Sequence, residues 1–190
     1  MIGNSAGSRL GRAAIGGAEF ARIMGQKGKY LELYGNPTDN NAEVRSSGYK
    51  TVMSQYPAMQ NVGKEVAMWD RQQGFTKAQT LLQAHPDVQG IINGNDEMAL
   101  GAIAALDAAG KKDILVGGFD GSPDAVAAVK SGKLAYTVLQ PIAKLSIMAV
   151  DQADKFIKTG KTGAKSEKQT VDCILINKAN AANYTNWAMK

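Results

Sequence analysis

Short apolar runs alternate along the chain with longer stretches whose apolar residues recur at helical spacing. The runs lie at Tyr30–Tyr34, Glu65–Met68, Val88–Ile92, Ile114–Phe119, Leu134–Leu139 and Val171–Ile176. Their length and β-branched content predict strands. The stretches between them predict helices. Gly7–Met24 carries Leu10, Ala13, Ala14, Ala18, Phe20 and Ala21 at helical spacing, and Asn41–Met53 follows the turn Gly35-Asn36-Pro37. Thr76-Lys77-Ala78-Gln79 has capping-box form ahead of Leu81-Leu82, with Pro86 beyond the helix end. Asp96–Ala109 stops at Gly110, a helix opening at Ser122-Pro123-Asp124 stops at Gly132, and Ile142–Lys158 stops at Gly160. Thr159–Lys168 reads as an exposed linker, and the tail Asn177–Lys190 as a short final helix carrying Tyr184 and Trp187.

Near-continuous apolar strands separated by helices predict a parallel sheet covered on both faces. With right-handed crossovers this gives an α/β fold, a three-layer αβα sandwich around a mostly parallel, doubly wound sheet.

Composition narrows the function classes. The chain has 190 residues and a formal charge of +5, with seven lysines between Lys155 and Lys190. Those lysines lack interleaved aromatics, so they read as a solvated basic face rather than a nucleic-acid surface. No apolar run approaches the roughly 18 residues a membrane span needs. Met1-Ile2-Gly3-Asn4-Ser5 has no basic or apolar leader region, which predicts a cytosolic chain or a targeting segment upstream. One cysteine, Cys173, and one histidine, His85, allow neither an internal disulfide nor a Cys/His zinc cluster.

The candidate chemistry sits at the strand ends. Trp69 follows Glu65–Met68, Asn95 follows Val88–Ile92, Asp120 ends Ile114–Phe119, Gln140 ends Leu134–Leu139, and Arg45 lies in the helix after Tyr30–Tyr34. In an open parallel sheet, ligands bind beyond the carboxyl ends of the strands. An indole, a guanidinium, two amides and a carboxylate suit a polyhydroxylated ligand: the polar groups engage hydroxyls and the ring covers C–H faces. The competing reading makes Asn95 and Asp120 plain helix N-caps. Catalytic readings fail. There is no Gly-x-Ser-x-Gly elbow. His85 stands on the entry side of a strand. Gly160-Lys161-Thr162 has Lys155 where a phosphate loop requires glycine, and Gly3, Gly7 and Gly11 follow no full strand. Cys173 is expected inside an apolar strand, and Met53, Met98 and Met148 on helical core faces. No enzyme activity, metal or cofactor is expected.

The motifs Asn95-Asp96-Glu97-Met98-Ala99-Leu100-Gly101, Val116-Gly117-Gly118-Phe119-Asp120-Gly121-Ser122-Pro123-Asp124 and Gly132-Lys133-Leu134-Ala135-Tyr136-Thr137-Val138-Leu139-Gln140 closely resemble type I periplasmic sugar-binding proteins. The ribose-binding branch of the ABC transporters is similar to this chain over nearly its whole length, Leu81-Leu82-Gln83-Ala84-His85-Pro86-Asp87-Val88 included. The resemblance implies a monosaccharide ligand held non-covalently by Arg45, Trp69, Asn95, Asp120 and Gln140. For a full-length protein it also implies a periplasmic location and an ABC permease as partner.

Such proteins have two lobes, and the resemblance implies that a first lobe of about a hundred residues is missing. Residues 1–140 would then be the sugar-binding second lobe. Residues 141–168 would be a helix and linker that pack on the absent lobe, and 169–190 a last strand and helix. Half a site predicts weak or undetectable sugar affinity. An unpartnered helix Ile142–Lys158 predicts repositioning of that helix or a homodimer through its face. Two other classes stand beside it: the effector core of a LacI-like regulator, which shares this fold and which an upstream helix-turn-helix would identify, and a nucleotide-using α/β enzyme, for which the chain has no phosphate loop or catalytic set.

Overall fold

The computed structural model describes residues 9–167, 169–185 and 187–189; the expected helix start at Gly7 lies outside them. Helix and strand alternate as α1 (Arg9–Ile23), β1 (Gly28–Tyr34), α2 (Asn40–Met53), β2 (Met59–Val66), α3 (Arg71–Ala84) and β3 (Gly90–Asn93). Then follow α4 (Asp96–Ala108), β4 (Leu115–Gly117), α5 (Pro123–Ser131), β5 (Tyr136–Leu139), α6 (Ile142–Thr159) and β6 (Ile174–Asn177). A 3₁₀ turn at Ala181–Asn183 leads to a small hairpin, β7 (Tyr184–Thr185) and β8 (Ala188–Met189).

The main sheet has the order β2-β1-β3-β4-β5-β6, parallel through β5, with β6 antiparallel to β5. This is the expected mostly parallel αβα architecture. The chain runs outward from β1 to β2 and then crosses back to β3, so the winding direction reverses between β1 and β3. That reversal opens a crevice at the carboxyl edge, where ligands of such sheets bind.

Strand residues alternate between two cores because successive side chains point to opposite faces. Tyr30, Ile92, Tyr136 and Val138 meet Phe20 of α1 and Tyr49 of α2. Leu31, Ile91, Val116 and Leu139 meet α3, α4 and α5 through Leu81, Met98 and Val129. Four helices begin with a side-chain oxygen taking a free backbone N–H: Asp39, Asp70, Asn95 and Ser122 cap α2, α3, α4 and α5. Helices α3 and α4 meet at two glycines. A Cβ on Gly74 would stand 2.8 Å from the Met98 backbone, and one on Gly101 would strike the Arg71 carbonyl.

Several expectations need correction. Helix α3 starts at Arg71 behind the cap Asp70, not at Thr76, whose hydroxyl lies inside the helix and donates to Gln72 O at 3.1 Å. Strand β2 ends at Val66, and Met68 and Trp69 turn away with φ of 54° and 65°. Beyond β6 the tail is a 3₁₀ turn and a hairpin rather than a helix. The expected last strand is present as β6, which joins the main sheet and completes it. Cys173 is half-buried just ahead of β6, and Met148 is half-buried on α6 rather than in the core. Met53 and Met98 are core residues, and His85 is the C-cap of α3.

Helix α6 stands apart. It buries none of its residues, and Ile147, Val150, Phe156 and Ile157 are each more than half exposed.

Candidate functional site

A cleft of about 390 Å³ lies beyond the carboxyl ends of β1 and β3, at the reversal point. All five sequence-expected residues, Arg45, Trp69, Asn95, Asp120 and Gln140, line it, joined by Asp39, Asn41, Ile142 and Trp187. A larger depression of about 480 Å³ lies at the opposite edge, near the entry end of β4. Its polar lining is the solvated ends of loop residues such as Lys111, Lys112 and Lys133, and it is on the wrong side of the sheet for a switch-point site.

The indole of Trp69 is the floor of the cleft, and two glycines permit it. A Cβ on Gly35, after β1, would collide with the ring, and one on Gly94, after β3, would stand 2.8 Å from it. The ring therefore lies across the backbone of the two strands that flank the reversal. Left-handed backbone at a bulky residue is strained and costs about 1–3 kcal/mol, so the surroundings must hold Trp69 in place.

Arg45 projects from α2 between two rings. Its guanidinium carbon is 4.2 Å from the centre of Phe119 and 5.1 Å from that of Trp69. Nη1 donates to Gly94 O at 2.6 Å, and Nη2 pairs with Asp120 Oδ1 at 3.0 Å. Gln140 Nε2 donates to the same Oδ1 at 2.7 Å. Both contacts use Oδ1, which leaves Oδ2 to accept from a ligand hydroxyl. Burial pushes the Asp120 carboxyl above its usual range, while Arg45 and Gln140 pull against that. The pair has no net charge, which suits a neutral ligand better than an anion.

The cap reading divides. Asn95 does cap α4: its Oδ1 accepts from Met98 N at 3.0 Å, and its Nδ2 donates to Trp69 O at 3.2 Å. Asp120 caps nothing, since Ser122 takes that role for α5. Its φ of 122° is held from both sides, because its N–H donates to Val138 O and its carbonyl accepts from Gln140 N.

Beneath this loop lies Asp96, buried at the start of α4 and not singled out from sequence. Its Oδ2 accepts from Ser122 N at 2.7 Å, and its Oδ1 accepts from the Thr137 hydroxyl at 2.7 Å. Thr137 Oγ1 in turn accepts from Gly121 N at 3.1 Å. Gly121 has φ of 74°, and a Cβ there would stand 2.7 Å from Leu139 Cα, so only glycine fits. Asp96 thus pins the two residues after Asp120. Burial raises its carboxyl to about 7, against the hydrogen bonds and with help from the nearby Asp120 charge.

Trp187 lies in the tail expected to form a final helix. The structure places it, half-buried, at the turn of the β7–β8 hairpin and on the cleft. Among the described residues, no group of three or more His, Cys, Asp or Glu side chains is arranged to hold a metal ion.

The profile of the periplasmic binding protein domain matches residues 9–162. The D-apiose import binding protein of Paraburkholderia graminis is 47% identical over 94% of this chain and 57% of that protein. The ribose import binding protein of Salmonella typhimurium is 41% identical over 80% of this chain and 51% of that protein. Among solved structures, a periplasmic solute-binding protein of an ABC transporter from Actinobacillus succinogenes with bound D-allose superposes with a TM-score of 0.84. It is 31% identical and covers 93% of this chain and 62% of that one. The chain therefore spans little more than half the length of the curated relatives it matches. Those relatives are named as binding proteins of import systems, not as enzymes or regulators.

Proposed function

We propose, for a chain that belongs to the periplasmic binding protein domain family, that its cleft is one wall of a monosaccharide site in a solute-binding protein of an ABC importer. One observation carries this reading: an indole floor and a charge-neutral Arg45–Asp120–Gln140 cluster converge at the sheet's reversal point. In the proposed mode the sugar's C–H face lies on Trp69, and Asp120 Oδ2 accepts from one hydroxyl. Arg45, Asn95 and Gln140 meet the others. Binding is non-covalent, in keeping with relatives named for importing D-apiose and ribose.

In this reading residues 1–140 form the sugar-binding lobe, 141–168 a helix and linker, and 169–190 the returning strand and hairpin. A facing lobe would cover the apolar side of α6 and close the site by hinge motion, in the periplasm, before delivery to a membrane permease. By itself the chain offers one wall. Titration calorimetry with D-apiose and D-ribose is expected to give heats only at millimolar sugar; a micromolar Kd would overturn the one-wall reading. The exposed face of α6 is expected to self-associate at high concentration, and a concentration-independent monomer in sedimentation would count against a homodimer.

A further inference from the structure

We infer that Trp187 is a second aromatic wall of this cleft, delivered by the carboxy-terminal hairpin and selective for ligands that present a flat ring face. The inference rests on the monosaccharide reading above and adds a residue to it.

The chain has two tryptophans, and both line the same cleft, although they come from distant parts of the sequence. A half-buried indole in a hairpin turn is unusual, since turns favour small or polar residues. Trp187 also has φ of 65°, the left-handed region that disfavours a bulky side chain. Five described residues other than glycine have positive φ, and three of them, Trp69, Asp120 and Trp187, line this cleft. Strained backbone at a bulky residue is a pointer to function when it clusters at one site.

The hairpin is anchored, so the indole is not a loose end. Tyr184 at its base is buried in the core beside α5, its carbonyl accepts from Lys130 Nζ at 3.3 Å, and β8 lies against α6. The two indoles differ in their support. Trp69 is wedged over Gly35 and Gly94, whereas Trp187 rides on a hairpin of two-residue strands. The first is a fixed floor. The second stands on a separate element and touches only ligands whose ring reaches it, which makes it the residue that sorts ligands by shape. Indoles bind sugars through C–H faces, so a cyclic sugar gains from a second ring and an open-chain polyol does not.

Two tryptophans give two indole N–H signals in a ¹⁵N–¹H correlation spectrum, assignable with Trp69→Phe and Trp187→Phe. On adding D-ribose, both signals are expected to move along one saturation curve, whereas ribitol moves them far less. Read from the Trp69 signal, Trp187→Ala is expected to raise the half-saturating ribose concentration about fivefold, and Trp187→Phe by no more than about twofold. Should the Trp69 signal move while that of Trp187 stays still and Trp187→Ala binds like the parent, the second wall is refuted and the monosaccharide site stands. Should neither signal move with D-ribose or D-apiose at high millimolar concentration, the site itself is wrong and this inference falls with it.

Discussion

Helix α4 buries eight of its thirteen residues, while α6, longer and with a cleaner apolar stripe, buries none. Their beginnings differ in the same sense. Helix α4 opens on Asn95 and Asp96, whose side chains are tied to three other segments, and α6 opens on Pro141 with no side-chain cap. An apolar stripe specifies that a helix has a face to cover, not what covers it. The two helices thus separate a face covered inside this chain from one left open to solvent.

The sharpest break would come from the α4 side. Met98→Ala removes a fully buried side chain under the α3–α4 contact, and about 2–5 kcal/mol of stability should go with it in urea denaturation. A loss under about 1 kcal/mol would mean that α4 is no better anchored than α6. Next in size is Asp120→Ala, which leaves the Arg45 guanidinium with Gly94 O and two ring faces only. Because the pair is partly exposed, the expected loss is about 1–3 kcal/mol, together with the loss of sugar-induced shifts at Trp69.

A further effect is graded by pH. Between its ordinary 3.8 and about 7, Asp96 in the folded protein holds a proton that the unfolded chain has released. Stability is therefore greatest below that window and falls as pH rises through it, by at most about 1.4 kcal/mol per pH unit. Asp96→Asn should flatten this slope in thermal melts between pH 4 and 7; an unchanged slope would assign it to another group. The smallest effect belongs to α6. Val150→Lys with Ile157→Lys should change stability by no more than about 0.5 kcal/mol, and a larger loss would show that α6 packs on its own chain.

The sequence revealed elements whose signals are local. Runs leading up to Asn95, Asp120 and Gln140 announced strand ends, and the rule that ligands gather there picked out five residues that line one cleft in the fold. What it could not reveal depends on three-dimensional neighbours. Gly74 looks like a weak point within α3, yet it is what lets Met98 come close. Asp70 gives little sign of capping α3, because the helical signal before Phe75 is made of polar residues, whereas Thr76 precedes an apolar pair. The floor under Trp69 requires Gly35 and Gly94 to be adjacent, which only the order β2-β1-β3 makes true. The tail is ambiguous in sequence because Tyr184 and Trp187 suit a helix face and a short strand equally.

Strand β6 returns to a definite address. Leu139 and Ile174 face each other across the β5–β6 ladder, so everything from Gln140 to Cys173 is an excursion whose two ends meet. Adjacent strands lie about 4.8 Å apart, a gap that a tight turn can bridge. In engineering terms, α6 and its linker are a removable cassette: with Gln140 kept, a short hairpin connection could replace them without disturbing the sheet's register. The same two ends mark where a foreign domain could be spliced in and wired to the cleft.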